Sequence, residues 1–218
     1  SAHCIVKIIA RLGKSRKKFS FNKIPLQDSV LFSTFGGATG TLKNRESYDM
    51  EKKLQEIASH FALEGGIAAI DSLGEGFIND TFIIRTEGEA PDYILQRKNK
   101  NIFPDVPAMM DNIRRVTDHI RRGVIAAGGD PRREVMTVVP TREDALYHID
   151  GDGEYWAVSV FIDDTVAYNK ADSPELARKG GEGIGKFQAQ LADFPEPLAE
   201  TIKGFHNIRH RFVQWDEA

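Results

Sequence analysis

The stretch IAAIDSLGEGFINDTFIIRTEGEAPDYILQRKN, residues 67–99, decides the fold. Ile67, Ile70 and Leu73 lead into two glycines, Gly74 and Gly76. Phe77, Thr81, Phe82, Ile83 and Ile84 follow, rich in the β-branched and aromatic side chains that suit a pleated surface. Glu87-Gly88-Glu89-Ala90-Pro91 reads as a turn, and Tyr93-Ile94-Leu95-Gln96 as a third strand. The pattern therefore predicts strand, glycine turn, strand, short turn, strand, with Gly74 and Gly76 at a hairpin tip. A dinucleotide-binding fingerprint needs its glycines between a strand and a helix, and needs a third glycine; G-x-G-x-x-N has neither.

Toward the C-terminus, Ile102-Phe103-Pro104-Asp105 opens a helix for which Asp105 is the expected cap. Val106, Met109, Met110, Ile113, Val116 and Ile120 give it a continuous apolar face that runs to about Val124. Methionines at this spacing read as core. Val135–Val139 is a short extended run broken by Pro140, and Ala145–Ile149 with Tyr155–Ile162 makes a hairpin around Asp150-Gly151-Asp152-Gly153. The expected fold class is thus α+β, an antiparallel five-stranded sheet with one long helix packed on it. Ser173-Pro174-Glu175 starts a further helix, with Leu176, Gly180, Ile184, Phe187 and Leu191 as its expected buried face. Its glycines at 180, 181, 183 and 185 predict close packing against a neighbour. Phe212 to Ala218 reads as the opening of another helix.

Toward the N-terminus, a helix is expected from Asp49 as its cap, with Leu54, Ile57, Ala58 and Phe61 on one face and Gly65-Gly66 as its end. Residues 1–49 hold nine Lys and Arg against three Asp and Glu, in a chain whose net charge is −3. They show no sustained periodicity and read as a flexible or non-native leader without core contacts before residue 40. The run Lys14-Ser15-Arg16-Lys17-Lys18 has one aromatic neighbour, Phe19, and no recognisable module around it, so no nucleic-acid partner is expected. Met50 is a plausible native start.

The 218 residues, 41% of them hydrophobic, can bury a core. Cys4 is the one cysteine, which excludes an intrachain disulfide or a cysteine zinc site and makes a cytoplasmic location the default. No apolar run approaches a membrane span. The six histidines are scattered, so no metal site is expected from them.

A G-x-G turn between two strands fits an ordinary tight hairpin about as well as a phosphate flap. Context favours the flap, because glycine turns between strands are how kinase-like folds cover ATP phosphates, and the order of elements here is that of a kinase small lobe. Strand alternation puts Gln96 on the same face as Ile94 and Lys98 and sends Arg97 to the other. Asn112 is the polar residue beside the buried face of the long helix. A neutral Gln96–Asn112 amide contact in place of the usual lysine–glutamate pair is one reading; the other is that Asn112 bonds backbone or water.

The ordered runs IASHFALEGG (57–66), GEGFINDTF (74–82), YILQRKNKNIFPD (93–105), VFIDDTVAYN (160–169) and FHNIRHRF (205–212) resemble the N-acetylhexosamine 1-kinases of the aminoglycoside phosphotransferase and choline kinase superfamily. The resemblance covers about Met50 to Ala218. It implies a protein-kinase-like small lobe over residues 50–162, which binds ATP, and the hinge and beginning of a helical large lobe over 163–218. It also implies transfer of the γ-phosphoryl of ATP to an N-acetylhexosamine. By position, Gly74, Gly76 and Asn79, with Thr81, fall at the phosphate flap. Gln96 falls where many kinases carry a nucleotide-contacting basic residue, Asn112 on the following helix, and Phe161, Ile162 and Asp163 at the hinge whose backbone holds adenine. The position of Phe77 is frequently histidine in the family. The family's catalytic loop and metal-binding aspartate have no counterpart in these residues: His206-Asn207-Ile208 has no aspartate in the required place, and His210 meets its next acid at Asp216. No catalytic or metal residue is therefore assigned, Asp163-Asp164 reads as a solvated pair, and magnesium is expected in a full-length enzyme alone. The alternatives are a non-catalytic nucleotide-binding or interaction module and a small-alcohol kinase acting on choline, ethanolamine or homoserine.

Overall fold

A computed structural model of the chain describes residues 39–73, 78–166, 168, 170–205 and 207–217, the side chains from residue 48 onward. In order these form α1 (Thr39–Ser59), β1 (Ile67–Ser72), β2 (Asp80–Thr86), β3 (Tyr93–Lys98), α2 (Val106–Ala126), α3 (Pro131–Glu134), β4 (Val138–Val139), β5 (His148–Ile149), β6 (Tyr155–Val160), α4 (Pro174–Gln190) and α5 (Ile208–Asp216). One antiparallel sheet runs β1-β2-β3-β6-β4, with β5 also on β6. The fold is α+β, a protein-kinase-like small lobe in its strand order and in the long helix between β3 and β4.

The sheet has six strands where the sequence predicts five. β4 pairs Val138 and Val139 with Ser159 and Val158, and β5 pairs His148 and Ile149 with Trp156 and Tyr155. Both lie along one edge of β6, so they share a fifth position in the ladder. Pro140, which cannot donate to a ladder, stands just after β4 and divides the runs. Val135 falls outside the strand and caps α3, a short helix that begins behind the Asp130 cap and Pro131.

Alternation gives the sheet two covered faces. Phe82, Ile84, Tyr93, Leu95, Trp156 and Val158 point to one face, where Leu54, Ile57 and Ala58 of α1 and Phe61 pack on them. Ala157 points to the other, under Phe103, Val106, Met109 and Met110 at the start of α2, with Ile78 and Ile202 alongside. Asp105 accepts from the Ala108 N–H at 2.9 Å, which fixes the first turn of α2 as the sequence predicts. The far end of α2 forms a third cluster, Ile120, Val124 and Val135, against which Phe187 and Leu191 lie.

Three helix expectations are corrected. α1 begins at Thr39, so Asp49 is an interior residue and not its cap; most of the expected leader lies outside the described residues. The helix also ends at Ser59, short of Gly65-Gly66, because Phe61 leaves it to bridge Thr141, and the Ala62 N–H donates to the Pro140 carbonyl at 2.9 Å. Gly65 has φ +79, and a Cβ there would stand 2.7 Å from the Cβ of Ala90, so it serves the turn into β1. α4 starts at Pro174 behind the Ser173 cap as expected, yet none of its residues is buried and Ile184 is exposed. A Cβ at Gly181, Gly183 or Gly185 would meet nothing within 4 Å, so these glycines do not mark close packing. α5 starts at Ile208 behind an Asn207 cap, earlier than Phe212.

Candidate functional site

β1 and β2 pair antiparallel, Ser72 opposite Phe82 and Asp71 opposite Ile83, and the Leu73 N–H donates to the Thr81 carbonyl at 2.8 Å. Their connection therefore lies where the sequence predicts the glycine turn. Gly74 and Gly76 themselves lie outside the described residues.

Directly after that connection the register sets a polar row across the α2-side face. Thr81 stands opposite Gln96, and Gln96 opposite Ala157. The Lys98 ammonium donates to Gln96 Oε1 at 2.8 Å, Gln96 Nε2 donates to Thr81 Oγ1 at 3.1 Å, and Thr81 Oγ1 donates to the Asn79 carbonyl at 3.3 Å. Asn79 is itself buried and accepts the Asn99 N–H on its Oδ1 at 3.0 Å, locking the start of β2 to the end of β3. Four of the residues singled out by sequence or by alternation, Asn79, Thr81, Gln96 and Lys98, thus form one hydrogen-bonded chain. No buried side-chain polar atom among the described residues is left without a partner.

Arg97 points to the opposite face, as alternation requires, and pairs with Asp80. Asn112 does not join the row. Its Nδ2 donates to the Ala199 carbonyl at 2.8 Å and its Oδ1 accepts the Ala199 N–H at 3.0 Å, so the expected Gln96–Asn112 contact is replaced by a side chain-to-backbone pair. The physical reason lies in the chain after α4, which returns along α2: Arg115 pairs with Glu196 and donates to the Pro197 carbonyl, and His119 meets Asp193 at 3.1 Å and Phe194 edge-on. Positions 112, 115 and 119 share one helix face and take 199, 196 and 193 in antiparallel order.

The hinge residues sit at the other end of the sheet. Val160 pairs with Tyr93, and the Phe161 N–H donates to the Asp92 carbonyl at 2.8 Å. The Asp92 carboxylate closes the β2–β3 turn, accepting from the Thr86 N–H at 3.0 Å and from Arg85 at 2.7 Å. Ile162 accepts from the Thr165 hydroxyl at 3.1 Å, and Asp163 is ion-paired with Arg133. Between this end and Lys98 lies the length of β3, about 17 Å at 3.4 Å per residue.

Lys98 is the residue that the sequence reading left without a role. Alternation put it on the face of Gln96, and its burial needed the packing of the sheet to become visible. Among the described residues no group of three or more His, Cys, Asp or Glu could hold a metal ion, and Asp163, committed to Arg133, does not fit one. No helix among them is long and apolar enough to cross a membrane.

No family model matches the chain. A solved structure of spectinomycin phosphotransferase, APH(9)-Ia, in complex with ADP and spectinomycin, is similar over 67% of this chain, at 14% identity and a TM-score of 0.46. The match spans 38% of that chain, so the present residues correspond to less than half of its length.

Proposed function

We propose that the chain is the nucleotide-binding part of an ATP-dependent phosphotransferase, a sugar 1-kinase of the N-acetylhexosamine type working in the cytoplasm. Residues 50–162 make up its small lobe, and 163–218 its hinge and the beginning of its helical large lobe. The observation that carries the reading is the hydrogen-bonded row Asn79–Thr81–Gln96–Lys98 beside the β1–β2 connection, with the Phe161–Asp163 segment tied to the opposite end of the same strands through Asp92. That spacing suits an extended molecule with an aromatic base at one end and an anionic tail at the other. A bound ATP would bring the γ-phosphoryl to be transferred. The chain's own residues hold it: Asn79, Thr81 and the glycines at 74 and 76 by the phosphates, and the backbone of Phe161, Ile162 and Asp163 by the base.

No residue of this chain is assigned as the base for an acceptor hydroxyl, and the described residues contain no group of three or more His, Cys, Asp or Glu that could hold a metal ion. Positioning and charge stabilisation supply nearly all of phosphoryl-transfer catalysis. The 218 residues should therefore bind ATP without phosphorylating N-acetylglucosamine or N-acetylgalactosamine. Titration calorimetry with ATP tests the first statement, and absence of binding at millimolar nucleotide refutes it. A sugar 1-phosphate assay tests the second, and product above background refutes it. Binding without turnover in any longer chain would favour a non-catalytic module, and turnover of choline, ethanolamine or homoserine there would favour a small-alcohol kinase.

A further inference from the structure

We propose that the stacked imidazoles of His60 and His148 form an acid-opened latch. As pH falls from neutral to mildly acid, the passage from α1 to β1 comes away from the β4–β5 connection and β5, while Lys53 keeps the body of α1 pinned to the β5–β6 turn. The inference is independent of the nucleotide-binding reading above.

The latch joins two parts of the chain that lie far apart in sequence. His60 directly follows α1, and His148 opens β5 opposite Trp156, on the sheet face that α1 covers. Their ring centroids are 3.9 Å apart and the rings lie 13° from parallel. The same passage is held by the Ala62 N–H on the Pro140 carbonyl at 2.9 Å, the Arg142 N–H on the His60 carbonyl at 2.8 Å, and Arg142 Nε on the Ser59 carbonyl at 2.8 Å. Phe61, which bridges Thr141, is wholly buried.

Two neutral imidazoles stack without electrostatic cost, whereas a proton on either ring sets a charge against the other in half-buried surroundings. Burial first, and His60 second, hold the His148 pKa below its ordinary 6.5. The acids around the pair offset this weakly. Glu56 stands 3.9 Å from His60 Nε2 but is 70% exposed, Glu143 is exposed as well, and Asp150 already accepts from Trp156, Lys53 and two backbone N–H groups. The cations of the same elements, Lys53 and Arg142, oppose a further positive charge. His119 differs, because a proton there meets the Asp193 carboxylate.

Once the stack is open, the imidazoles take up protons at the ordinary value. The closed form therefore keeps its full advantage above pH 6.5 and loses it as pH falls below. Asp150, whose pKa is brought down to about 2, stays charged through this range and goes on holding Lys53, which confines the opening to the far end of α1.

The test is site-resolved hydrogen exchange by NMR on the full chain at pH 7.5 and pH 5.5, corrected for the intrinsic pH dependence of exchange, for the wild type, His148→Phe and His60→Phe. Excluding one imidazole proton is worth about tenfold over this interval, so protection of the Ala62 and Arg142 amides should fall by about 3- to 10-fold between pH 7.5 and pH 5.5. At both pH values it should lie below that of the core amides of β2 and β3, which marks a local opening. His148→Phe keeps a ring to stack but no titrating nitrogen, and should abolish most of the fall; His60→Phe should abolish part of it. A fall below about threefold in the wild type, or one undiminished in His148→Phe, overturns the latch. Protection at 62 and 142 equal to that of the β2 and β3 amides overturns it as well, because the opening is then global. Should His148→Phe lose its circular-dichroism signature, His60→Phe decides: a smaller fall than in the wild type supports the latch, and an undiminished one overturns it.

Discussion

Replacing Asp150 by Asn should destabilise the fold in a pH-dependent way. The Asp150 side chain is 5% exposed and accepts four hydrogen bonds. Its Oδ1 takes the N–H groups of Asp152 and Glu154, each at 2.9 Å, and its Oδ2 takes Trp156 Nε1 at 3.0 Å and the Lys53 ammonium at 3.0 Å. The carboxylate thereby ties the β5–β6 turn to Trp156 in the core and to α1. Burial by itself would raise its pKa, but the N–H of Glu154, the indole of Trp156, the Lys53 ammonium and the N–H of Asp152 together bring it down from 3.8 to about 2. At about 1.4 kcal/mol per pKa unit this is worth about 2 kcal/mol at neutral pH. Because the folded value lies below the unfolded one, the contribution is complete above the unfolded pKa and is lost as pH falls toward about 2; near pH 3 about half remains. The asparagine variant can still offer an oxygen to the two backbone N–H groups, but its NH2 then faces two donors, Trp156 Nε1 and Lys53. Urea denaturation of both proteins at pH 7 and pH 3 reads the difference, and the melting temperature at pH 7 should drop by roughly 4–8 °C at about 2–4 °C per kcal/mol. A difference below about 0.5 kcal/mol at pH 7, or one that stays the same at pH 3, would refute the reasoning.

Other perturbations reach other parts of the chain. Asn112→Leu removes both hydrogen bonds to Ala199 and should cost about 1–2 kcal/mol in urea denaturation, whereas a neutral result would mean that the 193–199 segment holds to α2 without them. His148 stacks on His60 at 3.9 Å, and burial first, then the neighbouring His60, lowers its pKa; Glu56, Asp150 and Glu143 oppose this. The unfolded chain then binds the proton more readily, so stability should fall as pH drops through the ordinary histidine range. In His148→Phe that part of the slope should disappear from melting temperatures taken between pH 5 and 8; an unaltered slope counts against the stack as its source. Deleting residues 1–49 leaves Leu54, Ile57 and Ala58 in place and removes, among described side chains, the exposed Tyr48 and Asp49, so stability should change by less than about 1 kcal/mol. A larger loss in the truncated protein would show that the leader packs.

The amino-acid sequence by itself determined the features set by local rules. Alternation fixed the faces of β2 and β3, the Asp-Gly pairs fixed the β5–β6 turn, and Asp105 with its apolar spacing fixed α2, because a pleat of period two and a helix of period 3.6 are written within a few residues. The same rule placed Gln96 and Lys98 on one face. Tertiary structure decided what those side chains meet. Asn112 bonds Ala199, 87 residues away, and not Gln96, because the chain after α4 returns along α2, and no local pattern announces a return. α1 extends through Asp49 and stops before Gly65, since a cap residue states a preference while Phe61 gains more by crossing to Thr141 in the core. Gly181, Gly183 and Gly185 of α4 look in sequence like part of a packing surface, yet packing is a property of the neighbour, and only the assembled fold shows that they face open space.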